Sequence, residues 1–275
     1  LKILYLTNGM SSTLNSSFEV SRRLRVAGHE VAYASPADVG ERVAAEGYEF
    51  VHLRADRDFA AHAASVPLGR QVLGRPVTFA SRVRQRRRIR RASIENDEIE
   101  RVIRELQPDR LLIDIELHFA ILATAKLGIP TLLPIVWFTL YRRSGTPPLH
   151  TPLLPSGAGG DALRVAWSWR RLRASTLIGE TRRRVGQVAR GEWFSPVDYE
   201  TVKIEDLRAV ARSRAFDLRA ETDRSQWLRP YLYRNLPTLL FNVPEMDFPL
   251  DPFPNEHYVG PMILAERRET QVDDR

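Results

Sequence analysis

The chain has 275 residues, no cysteine, and a formal net charge of +7 from 41 basic and 34 acidic side chains. This excludes disulfides, thiolate nucleophiles and cysteine metal sites, and no apolar run reaches membrane-spanning length. The basic excess is almost wholly arginine, since Lys2, Lys126 and Lys203 are its lysines. Such a balance fits nucleic acid, an anionic membrane, an anionic substrate or simply arginine-favouring codon usage.

The length is enough for a sizeable core in one large domain or two small ones. Residues 1–6, Leu1-Lys2-Ile3-Leu4-Tyr5-Leu6, read as a parallel strand covered on both faces rather than as a secretory signal. A small polar loop, residues 7–15, follows. Ser16 and Glu19 have the spacing of a capping box, predicting a helix from Ser16 to Val26 that stops at Gly28. Val31 to Ala34 is the second strand, which completes a βαβ unit. Its first loop lies where doubly wound folds place ligands.

A second helix is predicted over 39–46, closed by Gly47, and a third strand over 49–53. His52, near that strand's end, reads as a hydrogen-bonded structural residue. Phe59 to Ala64 suits a short helix, and Pro67 and Pro76 mark bends. The densest basic run, residues 81–91, is either a solvated helical face or a patch for phosphate or anionic lipid. Without interleaved aromatics to stack on bases, no nucleic-acid partner is expected.

Residues 94–106 carry apolar positions on one helical face, and Gln107-Pro108-Asp109 ends that helix. The strand Arg110-Leu111-Leu112-Ile113-Asp114 follows, then a helix opened by Ile115-Glu116-Leu117-His118 and running to Lys126. Gly128-Ile129-Pro130 leads into a strand over 131–136. Asp114, Glu116 and His118 therefore lie within five residues at a strand's carboxyl end. A helix N-terminus disfavours imidazolium, so His118 there would remain a neutral base. Asp114-Ile115-Glu116 also has the look of a metal-binding acidic pair, but a strand-to-helix junction need not bring both onto one ion. No metal is expected.

Trp137-Phe138 and Arg142 suit either a pocket wall or ordinary core aromatics beside surface arginine, and a proline-rich loop continues to Pro155. Ser156 to Gly160 reads as flexible, before a mostly helical, arginine-rich region. Trp167, Trp169 and Leu172 with Arg164, Arg170, Arg171 and Arg173 either cover a core or lie on an anionic membrane. Another helix is predicted over 205–218, then a strand over 237–242. No Gly-x-Gly-x-x-Gly follows a strand, and neither a P-loop lysine motif nor His-Glu-x-x-His is present.

Three separated blocks carry a family resemblance. They are the opening strand, loop, Asn15 and Ala27-Gly28-His29-Glu30-Val31 with Ala34-Ser35-Pro36; the stretch from Pro108-Asp109 through Asp114 to Leu127-Gly128-Ile129-Pro130 and its strand; and Tyr258-Val259-Gly260-Pro261. Together they resemble the N-terminal, acceptor-binding half of GT-B glycosyltransferases, the macrolide and UDP-glycosyltransferase group. The resemblance implies an α/β fold, a Rossmann-like parallel sheet flanked by helices, over residues 1–264. It places a helical arginine-rich insertion at about 157–230 and the start of an interdomain linker at 265–275. It also implies a bacterial, cytoplasmic enzyme, with sugar passing from a nucleotide-sugar to a hydroxyl of a largely apolar, small-molecule or lipid-like acceptor; the arginine-tryptophan helix leaves peripheral membrane contact open as an alternative.

The implied acceptor residues are Asn8, Gly9, Met10, Ser12, Asn15, Glu116, Trp137, Phe138 and Arg142. The family's loop histidine is matched by Thr13, whose hydroxyl cannot take a proton near neutral pH. Asp114 matches the aspartate that orients that histidine, so His118 is the expected replacement base, oriented by Asp114 or Glu116. Nothing after Pro261 is long enough for a donor domain. The chain is therefore expected to need a donor-binding domain from the same or a partner chain, to carry no cofactor itself, and to be inactive alone. The competing reading is a binding or membrane-docking protein that kept the fold and lost the base.

Overall fold

The computed structural model describes residues 1–53, 91, 95–139, 141–143, 145–148, 151–156, 159–189, 207–223, 232–248 and 253–264. The short helix expected over 59–64, residues 81–90 of the basic run, the start of the 94–106 helix, Gly157 and Ala158, the first residues of the 205–218 helix and the 265–275 linker lie outside the described residues. The chain divides into two compact units, one of residues 1–57, 97–139 and 233–275, the other of residues 58–96 and 140–232.

The first unit is built on β1 (Lys2–Leu6), α1 (Ser11–Val26), β2 (Glu30–Ser35), α2 (Gly40–Ala45), β3 (Glu49–His52), α3 (Glu98–Leu106), β4 (Arg110–Ile113), α4 (His118–Thr124), β5 (Thr131–Ile135), β6 (Thr238–Leu240) and β7 (Glu256–Tyr258). These strands form one sheet in the order β3-β2-β1-β4-β5-β6-β7, every neighbouring pair parallel. It is the α/β, Rossmann-like architecture that the resemblance implies. Ile3, Leu4, Tyr5 and Leu6 are all buried, as a central strand with both faces covered requires.

The core on one face gathers Ile3, Tyr5, Leu14, Phe18, Val31, Tyr33, Val39, Val43 and Tyr48. Tyr5 stacks on Tyr33 at 5.3 Å, and the Tyr33 hydroxyl is held by Ser21 at 2.7 Å and Ser17 at 3.2 Å. Each such side chain contributes roughly 1.5–3 kcal/mol of burial, and the serines supply the hydrogen bonds a buried phenol needs. Gly28 closes α1 at φ +83°, with its N–H donating to Arg25 O, as its place after the helix predicts.

Two helix starts differ from the expectation. Helix α1 begins at Ser11, and Ser16 is not its cap: the Ser16 hydroxyl donates to Ser12 O at 3.1 Å from inside the helix. The Glu19 carboxylate accepts from Arg22 and Arg23 instead of reaching back. The loop nucleates the helix early because Asn8 Oδ1 accepts from Met10 N–H at 2.9 Å and from the Thr13 hydroxyl at 2.7 Å. Helix α4 begins at His118, not at Ile115, because Asp114 captures the preceding turn. Its Oδ1 accepts from Glu116 N–H at 3.0 Å, and its carbonyl accepts from Leu117 N–H at 2.8 Å.

The second unit contains α5 (Asp161–Ala189) and the single-turn α6 (Leu218–Glu221), whose N-terminus is capped by Asp217. Trp169 anchors α5: it is buried, its indole N–H donates to Thr146 O at 2.8 Å, and the Arg142 guanidinium lies 5.0 Å above its ring.

Candidate functional site

The chain leaves β1 for β2 and β3 on one side, then returns to place β4 on the other. That reversal opens a crevice beyond the carboxyl ends of β1 and β4, the position at which open α/β sheets bind ligands. Polar side chains meet there. Asn8 follows β1, and its amide donates to Glu116 Oε2 at 2.9 Å, 108 residues away in the chain. The other end of the same amide, Oδ1, accepts the Thr13 hydroxyl. Thr13, Asn8 and Glu116 thus form one chain of donors and acceptors across the switch between β1 and β4.

Beside it is a small notch lined by Tyr5, Thr13, Asp114 to Glu116, Pro134 to Trp137 and Phe241. It is partly open to solvent and offers about 10 Å³, roughly the space of one water molecule. It therefore admits a hydroxyl group, while the body of any larger ligand stays outside. Its polar end is the Asp114–Glu116 turn, and its apolar wall is Ile115, Ile135, Val136, Trp137 and Phe241. Asp114 is buried and spends one oxygen on Glu116 N–H, so it shapes the turn; Glu116 is half-buried. The Tyr5 phenol is pushed well above its usual range, first by burial and then by the neighbouring Tyr33 and Asp114. It stays protonated at any physiological pH and can only be a neutral hydrogen-bonding group.

The sequence-predicted residues divide accordingly. Thr13, Asp114, Glu116 and Trp137 line the notch, and Asn8 joins two of them. Gly9 sits in the loop at φ +78°, where an added Cβ would lie 2.4 Å from the Ala37 Cβ, so it allows the loop to pass close against the turn after β2. Met10 and Ser12 are exposed on the first turn of α1. Asn15 faces α2, accepting from Arg42 at 2.9 Å, and Phe138 is half-buried beyond Trp137. Arg142 belongs to the second unit and packs on Trp169 there; burial, with Arg173 nearby, lowers its affinity for a proton.

His118 does not line the notch. It is 3% exposed, its Nδ1 lies 3.1 Å from the Tyr233 hydroxyl, and the two rings pack at 5.9 Å. The first turn of α4 carries it inward, away from the Glu116 carboxylate. His52 likewise makes a local contact, to Pro36 O at 3.3 Å. Tyr5, Ile115, Val136 and Phe241 were not singled out from sequence. Each looks like ordinary core there, and only the hydrophobic continuation past Ile135 hinted at a wall. Among the described residues no cluster of three or more His, Asp or Glu is placed to hold a metal ion, and no helix is long and apolar enough to cross a membrane.

No family model matches the chain, and no curated protein does. Solved structures match part of it. One is the spinosyn rhamnosyltransferase SpnG, at 19% identity over 49% of this chain and 34% of that one, with a TM-score of 0.33. Another is SsfS6, a glycosyltransferase of Streptomyces sp. SF2575, at 21% identity over 49% and 39%, with a TM-score of 0.31. A third is the glycosyltransferase SnogD from Streptomyces nogalater, at 22% identity over 48% and 33%, with a TM-score of 0.34. The matched stretch spans between a third and two-fifths of the length of these structures.

Proposed function

We propose that this chain is the acceptor-binding part of a GT-B glycosyltransferase that moves a sugar from a nucleotide-sugar to a hydroxyl of a largely apolar acceptor. The observation that carries the reading is the Thr13–Asn8–Glu116 chain at the β1/β4 switch point, beside a notch sized for a hydroxyl and walled by apolar side chains. The three sequence blocks that resemble such enzymes support it independently, because two of them supply this loop and this turn.

In this reading Glu116 is the general base. The acceptor hydroxyl enters the notch and gives its proton to the Glu116 carboxylate as its oxygen bonds to the anomeric carbon of the donor sugar. The bond from that carbon to the nucleotide's phosphate oxygen breaks, and the nucleotide leaves with the electron pair. A carboxylate is a weak base towards an alcohol in the ground state. It takes the proton in the transition state, where the attacking oxygen has become acidic. Asn8 aims Glu116, Asp114 fixes its turn, and Thr13 fixes Asn8, so Glu116 assumes the role expected of His118.

The donor would be held outside these residues, since the one seven-stranded parallel sheet described here is committed to the acceptor side. The test is ligand-observed NMR with a panel of apolar polyols and macrocyclic alcohols. Binding weakened several-fold by Trp137→Ala, with no sugar transfer by these 275 residues alone, is the expected result. Failure of every hydroxylated apolar ligand to bind, or sugar transfer by the isolated chain, would overturn it.

A further inference from the structure

Helix α5 has two apolar faces, and only one of them is used. At about 100° per residue, Val165 and Trp169 fall on one side and are both buried. Leu163, Trp167, Leu177, Ile178 and Val185 fall on the opposite side, within an arc of roughly 100°. All five are exposed, at 50–76%. The stripe runs from residue 163 to residue 185, about 33 Å at 1.5 Å per residue. The stripe is apolar at both ends, Leu163 with Trp167 and Leu177 with Ile178 and Val185, with Arg170, Arg171 and Ala174 between them. Two exposed apolar clusters on one helix face mark an interaction surface, where singly scattered apolar residues would not.

Charge identifies the partner. Arg164, Arg171 and Arg182 line one rim of the stripe, Arg170 lies within it, and all four are exposed. The positions on this face, from Leu163 to Val185, include no acidic residue. A second copy of the same face would bring arginine against arginine, which disfavours a two-fold dimer through it. Nucleic acid would satisfy the arginines but leave the aliphatic side chains and Trp167 facing water. An anionic bilayer satisfies both: the apolar arc enters the acyl boundary, Trp167 sits at the headgroup level, and the arginines reach lipid phosphates.

We propose that α5 lies flat on the surface of an anionic membrane through its Leu163–Val185 face. This goes beyond the acceptor site, uses none of its residues, and stands or falls separately.

The test is co-sedimentation of the 275-residue chain with vesicles of phosphatidylcholine alone, or of phosphatidylcholine mixed with phosphatidylglycerol. Preferential binding to the anionic vesicles is expected, with partitioning falling about five-fold for each arginine reversed in Arg164→Glu, Arg171→Glu and Arg182→Glu. Trp167→Ser with Ile178→Ser should abolish binding while leaving circular dichroism unchanged, since both side chains are exposed. Glu116→Gln should bind as the wild type does. The proposal is overturned if anionic vesicles are not bound, or if phosphatidylcholine alone is bound equally. It is also overturned if the Trp167 and Ile178 changes leave binding intact, or if they convert a dimer to a monomer in sedimentation velocity, which would show that a protein covers the stripe.

Discussion

Asn8 donates its amide to the Glu116 carboxylate at 2.9 Å, and this one bond joins the loop after β1 to the turn after β4. It orients the carboxylate that the proposed reaction uses. In a protein that carries the donor-binding domain, Glu116→Gln should lower kcat by about 10²- to 10⁴-fold, the usual contribution of a general base. Acceptor affinity should change little, because the glutamine oxygen still accepts from Asn8. Asn8→Ala should cost less, since Glu116 remains but is no longer aimed. Undiminished kcat in Glu116→Gln would remove Glu116 as base.

His118 should behave as a core residue. Packed on Tyr233 and 3% exposed, it contributes to stability. His118→Ala should lower the unfolding free energy by about 2–4 kcal/mol, as expected for emptying a buried ring site. His118→Gln, which preserves a hydrogen-bonding group, should retain kcat within a few-fold in the active protein. If instead His118→Gln folds normally and loses activity 100-fold or more, the base is His118 and the notch has been misassigned.

The contrast between these two residues shows what the sequence could carry. Strands β1 to β6 were legible because each is a largely apolar run bounded by its own turn residues, whereas β7, Glu256-His257-Tyr258, has no apolar run to show it. Asp114 and Glu116 were legible as a polar pair at a strand end. Asn8 was legible as a loop residue of the site, but its bond to Glu116 was not, because that approach depends on β4 lying beside β1, a fact of topology. The surroundings of His118 were hidden for the same reason: its sequence neighbours are carboxylates, while Tyr233, whose hydroxyl its ring meets, is 115 residues away. The start of α1 was obscured by a local candidate. Ser16 with Glu19 has the spacing of a cap by local rules, and Asn8 decided the matter from outside the helix.

Glu19 gives a pH dependence with a definite sign. Its side chain is 4% exposed, and hydrogen bonds first from Arg22 and then from Arg23 lower its pKa to about 2, against the opposing effect of burial. A depressed carboxylate pKa stabilises the fold above the unfolded-state value and loses that contribution as pH falls through the folded value. The stabilisation should therefore be complete above about pH 4.5 and disappear towards about pH 2. Because both arginines are half-exposed, at 54% and 52%, solvent screening holds the effect of Glu19→Gln to about 1–2 kcal/mol near neutral pH. Urea midpoints of the two proteins should differ at pH 7 and converge on acidification. A gap that persists at pH 2 would show that packing, not charge, is what Glu19 supplies.

Gly9 offers the sharpest test of how the site loop is held. Alanine there meets two separate obstacles: a φ of +78°, and an Ala37 Cβ only 2.4 Å from the new methyl group. The first costs about 1–2 kcal/mol and the second about 1–3 kcal/mol. Gly9→Ala should thus lose roughly 2–5 kcal/mol and, by displacing Asn8, weaken acceptor binding in parallel. Only the steric part can be relieved from the other side. In a background of Ala37→Gly the closest obstacle is gone and only the tight contacts to Val39 Cγ1 at 3.2 Å and Ser35 Oγ at 3.3 Å remain, so Gly9→Ala should then cost chiefly the backbone strain, about 1–2 kcal/mol. A double-mutant cycle measured by urea unfolding separates the two contributions. Strict additivity would mean that the turn after β2 and the loop after β1 do not touch at Ala37, and that Asn8 is held by its hydrogen bonds alone.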